Sequence, residues 1–389
     1  MSFTANPHRS AFWLALAAMC CIAGLVNPAA AADMKLFKDS EDGAFDMSEF
    51  LMTKGGFMPA PIIITEPAVG EGFGLATVFY HGKLIGKPNP DNPGQQLPPS
   101  MTVAAGAYTS NGTWFAGGGH VGHWKKDRIR YTGFAGVMNL NIDFYAGDLP
   151  LAFNIDGGFL LQEIKFRLGT SNFFVGGKWI YFDSTSYFKG LEDILPPNWP
   201  DFGLLDGFES TNSGLGVVGY FDSRDNIFTP NTGLEADLEL TRYDQSIGGD
   251  FDYWYVHAQI LSFHTLHEDF ALGLRLEGEA VDGDVPFYGY PFVQLRGVPA
   301  MRYQDERVLN LEVEGRWQFW KRWSLVGFVG KGLTDGDIPR FDSDENIVTY
   351  GGGFRYLIAR KFNMHVGIDV ARGPETTAWY LQMGHAWSR

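Results

Sequence analysis

The side chains with the most chemical potential in this chain are charged and clustered. Asp222, Arg224 and Asp225 end an apolar, glycine-rich run, and Pro230 and Gly233 follow in a turn. From there Glu235, Asp237 and Glu239 alternate with Leu234, Ala236, Leu238 and Leu240. Such a period of two belongs to a strand with one charged and one apolar face. Histidines could bind metal, but His120 and His123, three apart on a strand, point to opposite faces, and His264 and His267 fall at a hairpin end. Gly351-Gly352-Gly353 leads into no helix, so no helix N-terminus waits there for a phosphate. There is no G-x-S-x-G segment, and both cysteines, Cys20 and Cys21, lie near the start. The sequence therefore predicts no enzyme, no catalytic residue, no metal site and no cofactor.

The first 32 residues read as a cleaved secretory signal. Arg9 precedes an apolar run from Ala11 to Val26, and Ala30-Ala31-Ala32 offers a small-residue cleavage site. Residues 33–56 are polar and acidic, a periplasmic tail or small plug, and residues 57–389 form the body. The excess of 45 acidic over 30 basic residues argues against nucleic acid as a partner. Past the signal, no apolar run reaches the roughly 20 residues of a membrane helix. The 49 glycines and 15% aromatics suit strands that curve and rims that carry aromatic girdles.

Sixteen strand patterns follow one another from about residue 58 to 387. Leu272, Leu274 and Leu276 oppose Arg275 and Glu277; Leu309, Leu311 and Val313 oppose Asn310, Glu312 and Glu314; Val366, Ile368 and Val370 oppose His365 and Asp369. So many charges are too costly for a dry core and suit a hydrated lumen, in which Glu277→Gln would be mild. Tight connections at 110–112, 125–126, 169–171, 266–268, 321 and 360 alternate with long ones at 83–99, 140–156, 184–212, 282–305 and 333–345. Short periplasmic turns and long outer loops give such a rhythm. The expected fold is all-β: a transmembrane antiparallel β-barrel of about 16 strands.

Three segments resemble the barrel half of the bacterial surface antigen superfamily, which includes the BamA and TamA assembly factors and the two-partner secretion transporters. Tyr220-Phe221-Asp222-Ser223-Arg224-Asp225, with Pro230 and Gly233, is similar to the family's D-x-R-D…P…G segment. Leu295-Arg296-Gly297, with the strand Asn310 to Arg316, resembles its inward-folded loop, whose Arg-Gly tip lies in the lumen. Gly351 to Tyr356, with Ile368-Asp369-Val370-Ala371, resembles its closing strands. The chain departs from the family in lacking the N-terminal POTRA repeats. It also has Gly330 in place of an acid and ends Trp387-Ser388-Arg389 rather than on an aromatic residue. The resemblance implies a lumenal latch of Arg296 and Gly297, with Glu312, Glu314 and Asp369 as candidate partners.

The expected role is an outer-membrane barrel of the surface antigen and assembly-factor type, serving protein or lipid insertion, transport or a scaffold. Its partners would be outer-membrane lipid and other envelope proteins, with the oligomeric state open. The acidic lumen face supports an alternative, a cation-preferring diffusion channel. An outer-membrane hydrolase and a soluble all-β binding protein find less support.

Overall fold

The computed structural model describes residues 34–53, 58–81, 88–89, 92–96, 99–146, 149–189, 207–336 and 347–387. The expected signal, 1–32, lies outside them. The chain runs as β1 (Met58–Ile64), β2 (Gly72–His81), a small hairpin of β3 (Pro88–Asn89) and β4 (Asn92–Gln96), β5 (Ser100–Thr109), β6 (Trp114–Trp124) and β7 (Ile129–Ala146). Next come β8 (Leu149–Arg167), β9 (Phe173–Phe188), β10 (Phe208–Asp222), β11 (Gly233–Tyr243), β12 (Tyr253–His267) and β13 (Phe270–Gly283). The last are β14 (Arg307–Trp320), β15 (Trp323–Asp335), β16 (Ile347–Ala359), β17 (Met364–Arg372) and β18 (Thr377–Met383). All but β3 and β4 form one 16-stranded sheet in sequence order, every neighbouring pair antiparallel.

This sheet is a nearly closed barrel with two chemically distinct faces. Leu238, Leu274, Leu311, Val313 and Val370 are exposed on its outside, while Glu239, Glu277, Asn310, Glu312, Arg355 and Asp369, of opposite parity, are buried within. An apolar outside around a charged inside is the pattern of a barrel in lipid rather than in water.

The seam lies between β1 and β18, the two ends of the sheet order. Among the described residues no ladder joins them, and the Thr65 hydroxyl donates across to the Trp379 carbonyl. Pro59 and Pro61 occupy alternate positions of β1. Proline has no N–H to give a ladder, so both belong on the side facing away from β2, where they blunt the free edge.

An even number of strands brings both termini to one end of the barrel. That end carries the short connections 125–128, 168–172, 268–269, 321–322 and 360–363. The far end carries the connection 284–306 and the strand ends Phe188, Phe208, Asp335 and Ile347. Two connections break the expected rhythm. The turn 110–113 lies at the far end, and the long connection from His81 to Ser100 starts and finishes at the terminal end. Residues 140–156, expected as a long loop, instead extend the β7–β8 ladder, with Leu140 opposite Ile155 and Ala146 opposite Leu149. The polar residues there pair across strands, Asn154 donating to the side chains of Asn139 and Asn141. Their polarity therefore marks a cross-strand network rather than a loop.

Residues 34–53 clasp the terminal end. Arg322 in the β14–β15 turn reaches Asp39, Asp42 and Asp46, and Arg360 reaches Asp39 and Glu41. A short α1 (Ser48–Thr53) then packs Leu51 against Met58, Ala359, Phe362 and Met364.

Candidate lumenal site

The connection 284–306 forms a folded structure inside the wall. Its arms meet at an antiparallel bridge between Phe292 and Gln304, and the Val293 N–H donates to the Tyr303 carbonyl. Val293, Leu295, Val298 and Tyr303 pack on Val308 and Ile347 of the wall. Gly330 and Gly332 explain how the loop comes so close. A Cβ on Gly332 would stand 2.5 Å from a Val293 methyl, and one on Gly330 would stand 3.1 Å from Leu295. Gly330, where the family pattern has an acid, is a space for Leu295.

At the loop's tip Arg296 is 8% exposed and surrounded by carboxylates. It donates to Asp369 at 2.7 Å and to Glu312 at 2.6 Å. Glu314 Oε2 stands 2.8 Å away as an ion-pair contact without hydrogen-bond geometry. The guanidinium lies 3.4 Å over the Phe328 ring. Arg355 takes the other side of Asp369, at 2.5 and 2.8 Å, so two cations share that carboxylate. Buried ion pairs need such saturation, because an unpaired buried charge is costly.

Gly297 adopts φ +91°, a conformation that glycine enters without penalty. It also has no room for a side chain, since a Cβ would lie 2.8 Å from the Gly373 nitrogen. Its N–H donates to the Tyr380 hydroxyl and its carbonyl accepts from Thr376, so the tip is tied to β18 and to the connection before it.

Sequence reasoning missed the C-terminal tail. After β18 it turns inward, and Trp387 donates to Glu312 at 2.5 Å beside Leu261 and Phe263. The terminal aromatic thus serves the latch cluster.

The motif segment 222–233 makes a second charged node, at the terminal end. Arg224 contacts Asp222 at 3.0 Å and Glu235 at 2.5 Å, and Asp222 also faces Arg130 at 3.5 Å. Asp225 accepts the N–H groups of Asn231 and Thr232, closing the turn in which Pro230 is buried. Gly233, at φ +110°, passes so close that a Cβ would meet the Ser223 carbonyl at 2.5 Å. Arg224 lies 3.4 Å from His385, which links this node to the same tail.

Glu277 corrects one expectation. It is not a hydrated lumenal carboxylate: it is fully buried and contacts His257, Gln259, Arg275 and Asn310. His257, Glu277 and Glu279 stand close enough to hold a metal. Glu277 already has these four partners, and Glu279 accepts from Tyr255 and Gln294.

No family model matches the sequence, and neither does any curated protein. Solved structures do match. BamA from Haemophilus ducreyi lacking POTRA domains 1–3 is similar with TM-score 0.57 at 11% identity, covering 91% of this chain and 81% of that one. The protein has the fold of a BamA-like outer-membrane barrel. CdiB from Escherichia coli (TM-score 0.57, 11% identity) covers 83% of this barrel, which spans 61% of the CdiB chain. CdiB from Acinetobacter baumannii (0.55, 9%) covers 85%, and the barrel spans 59% of it.

Proposed function

We propose that this protein is an outer-membrane barrel of the surface antigen and assembly-factor type, closed at rest, serving insertion, transport or a scaffold. One observation carries the reading: the loop 284–306 is anchored by Arg296 to Glu312, Glu314 and Asp369 of the wall. A wide barrel without such an obstruction would be an aqueous channel. An anchor that costs two buried arginines and three carboxylates to assemble suits a barrel that must not leak. Of the strand edges at the seam, β18 is the one free of proline, so client strand pairing would favour it over β1.

The second reading, a cation-preferring diffusion channel, rests on the acidic lumen. Most of those acids are neutralised: Glu235 by Arg224, Glu239 by Lys178, Glu277 by Arg275 and Glu312 by Arg296. Single-channel recording of wild type, Arg296→Ala and a deletion of residues 285–303 decides. The closed reading expects a quiet wild type and large openings in both variants. A steady, open wild type would move the assignment to the channel.

A further inference from the structure

The outer wall should be apolar wherever it meets acyl chains. On β2, β5, β6, β7 and β8 a polar row interrupts it. His81 Nε2 lies 2.7 Å from the Thr102 hydroxyl, which lies 2.9 Å from His120 Nδ1. The two imidazoles are 5.4 Å apart. His120 approaches Trp124, Trp124 stacks on Tyr131 at 5.4 Å, and the Tyr131 hydroxyl donates to Gln162. His120 and Trp124 share parity with exposed Trp114, as Thr102 does with exposed Tyr108, so the row faces outward. His81 and Trp124 end their strands, and Thr102 and Tyr131 are the third residues of theirs. All therefore lie near the rim of the terminal end.

Directly beside this row is the turn 125–128. Lys125, Lys126 and Asp127 have φ of 51, 61 and 63°, three consecutive non-glycine residues in the left-handed region. Such a run persists only when its surroundings over-determine it. Asp127 is the residue that does so: 1% exposed, it accepts from Arg130 at 2.8 and 2.7 Å, and its backbone carbonyl accepts from Arg167 at 3.0 Å. The consequence is a separation of charge. The turn's only acid is folded inward and neutralised, while Lys125 and Lys126 are pushed out into the open. In a chain of net charge −15 this makes a local basic edge above an outward-facing aromatic and histidine row.

We propose that this face, His81, Thr102, His120, Trp124, Lys125 and Lys126, is a docking site for the headgroup of an anionic phospholipid in the leaflet bordering the terminal end. The chemistry matches at each depth. The ammonium groups meet the phosphate and its extra negative charge, as basic residues do near anionic lipid surfaces. Each imidazole spends one ring nitrogen on Thr102 and, among the described residues, has its other nitrogen free for a phosphate or glycerol oxygen. Trp124 and Tyr131 lie at the amphipathic level that aromatic girdles occupy. A soluble anion could meet the lysines and the imidazoles but would gain nothing from Trp124 and Tyr131 at the membrane rim.

This inference rests on the membrane reading above, and the test separates the two. The full chain, folded in detergent, is mixed with phosphatidylglycerol or phosphatidylethanolamine and examined by native mass spectrometry. Wild type should retain phosphatidylglycerol in preference. Lys125→Gln/Lys126→Gln and, separately, His81→Gln/His120→Gln should reduce retention at least several-fold, whereas Lys321→Gln, in a turn on another part of the same rim, should not. A folded, heat-modifiable double variant that retains as much lipid as wild type overturns the site. So does full displacement by glycerol 3-phosphate, which would indicate a small-anion site. A wild type that never inserts into vesicles overturns the membrane reading itself.

Discussion

Arg296 and Asp369 lie 73 residues apart in sequence and 2.7 Å apart in space. Asp369 is also where Arg355 ends, so neutralising it takes a carboxylate from two guanidiniums. Arg296 would keep Glu312 and Glu314; Arg355 has no other carboxylate within ion-pair distance among the described residues. Asp369→Asn should therefore destabilise the barrel by roughly 3–5 kcal/mol, the usual cost of breaking a buried pair. Glu314→Gln should cost clearly less. Urea midpoints from heat-modifiability gels measure both, and equal shifts would contradict the shared-carboxylate arrangement.

Gly332 tests the loop by shape rather than charge. A valine there would collide with Val293, whose methyl already stands 2.5 Å from the position of the missing Cβ. Gly332→Val should unseat the loop, leave the strand register intact and raise antibiotic permeability. A variant as impermeable as wild type would show that this packing does not hold the loop in place.

The two faces of β13 respond differently. Leu276→Arg puts a charge on the outer face midway along β13 and should cost about 2–4 kcal/mol; Leu272, the third residue of the strand, lies too near the rim for that cost. Glu277→Gln, mild in a hydrated lumen, should instead cost at least as much, because it leaves Arg275 beside a neutral group in a fully buried network. Equilibrium unfolding of the two variants in parallel gives the comparison. A Glu277→Gln protein as stable as wild type would mean that the network is wet.

The clasp at the terminal end should open in acid. A hydrogen bond from Arg360 holds the Asp39 carboxyl well below the usual range, aided by the Glu41 N–H and by Arg322. Burial pushes Asp46 up, yet Ser48 and Arg322 bring it below its ordinary value. A depressed carboxyl stabilises the docked form above its unfolded pKa, and that contribution fades as pH falls through the folded pKa. The clasp is therefore intact at neutral pH and weakens from about pH 4 downward. Hydrogen exchange of residues 39–53 at pH 7 and pH 3, against β14 as reference, checks it. Protection that is unchanged at pH 3 would exclude these carboxylates as the fastening.

The seam can be closed covalently. The only native cysteines are Cys20 and Cys21, so Thr65→Cys/Trp379→Cys introduces one clean pair beyond the expected signal. Thr65 reaches the Trp379 carbonyl, so oxidation should cross-link β1 to β18 within one chain. Failure to cross-link in the folded barrel would place the seam elsewhere.

The strands were legible in the sequence because a barrel wall obeys one local rule. Each residue faces either lipid or lumen, and period two writes that choice into Leu272 to Glu277 and Leu309 to Glu314 without reference to any other strand. The number of strands followed by counting. The same rule failed at 140–156, where Asn154 donates across the ladder to Asn139 and Asn141: polarity looks the same in a loop and in a paired network. His81 went unnoticed for a related reason. Its partner Thr102 belongs to another strand, and only the register of β2 on β5 brings them together. The alternation put Arg275 and Glu277 on the inner face but could not say that the lumen there is dry, since burial depends on the loop and the opposite wall. The resemblance pointed to Arg296 with Glu312, Glu314 and Asp369, but the convergence of Arg355 and Trp387 on that cluster was settled by tertiary structure alone. It requires a loop folded inward, a tail turned back and strands closed into a ring, and none of these is a local property of the chain.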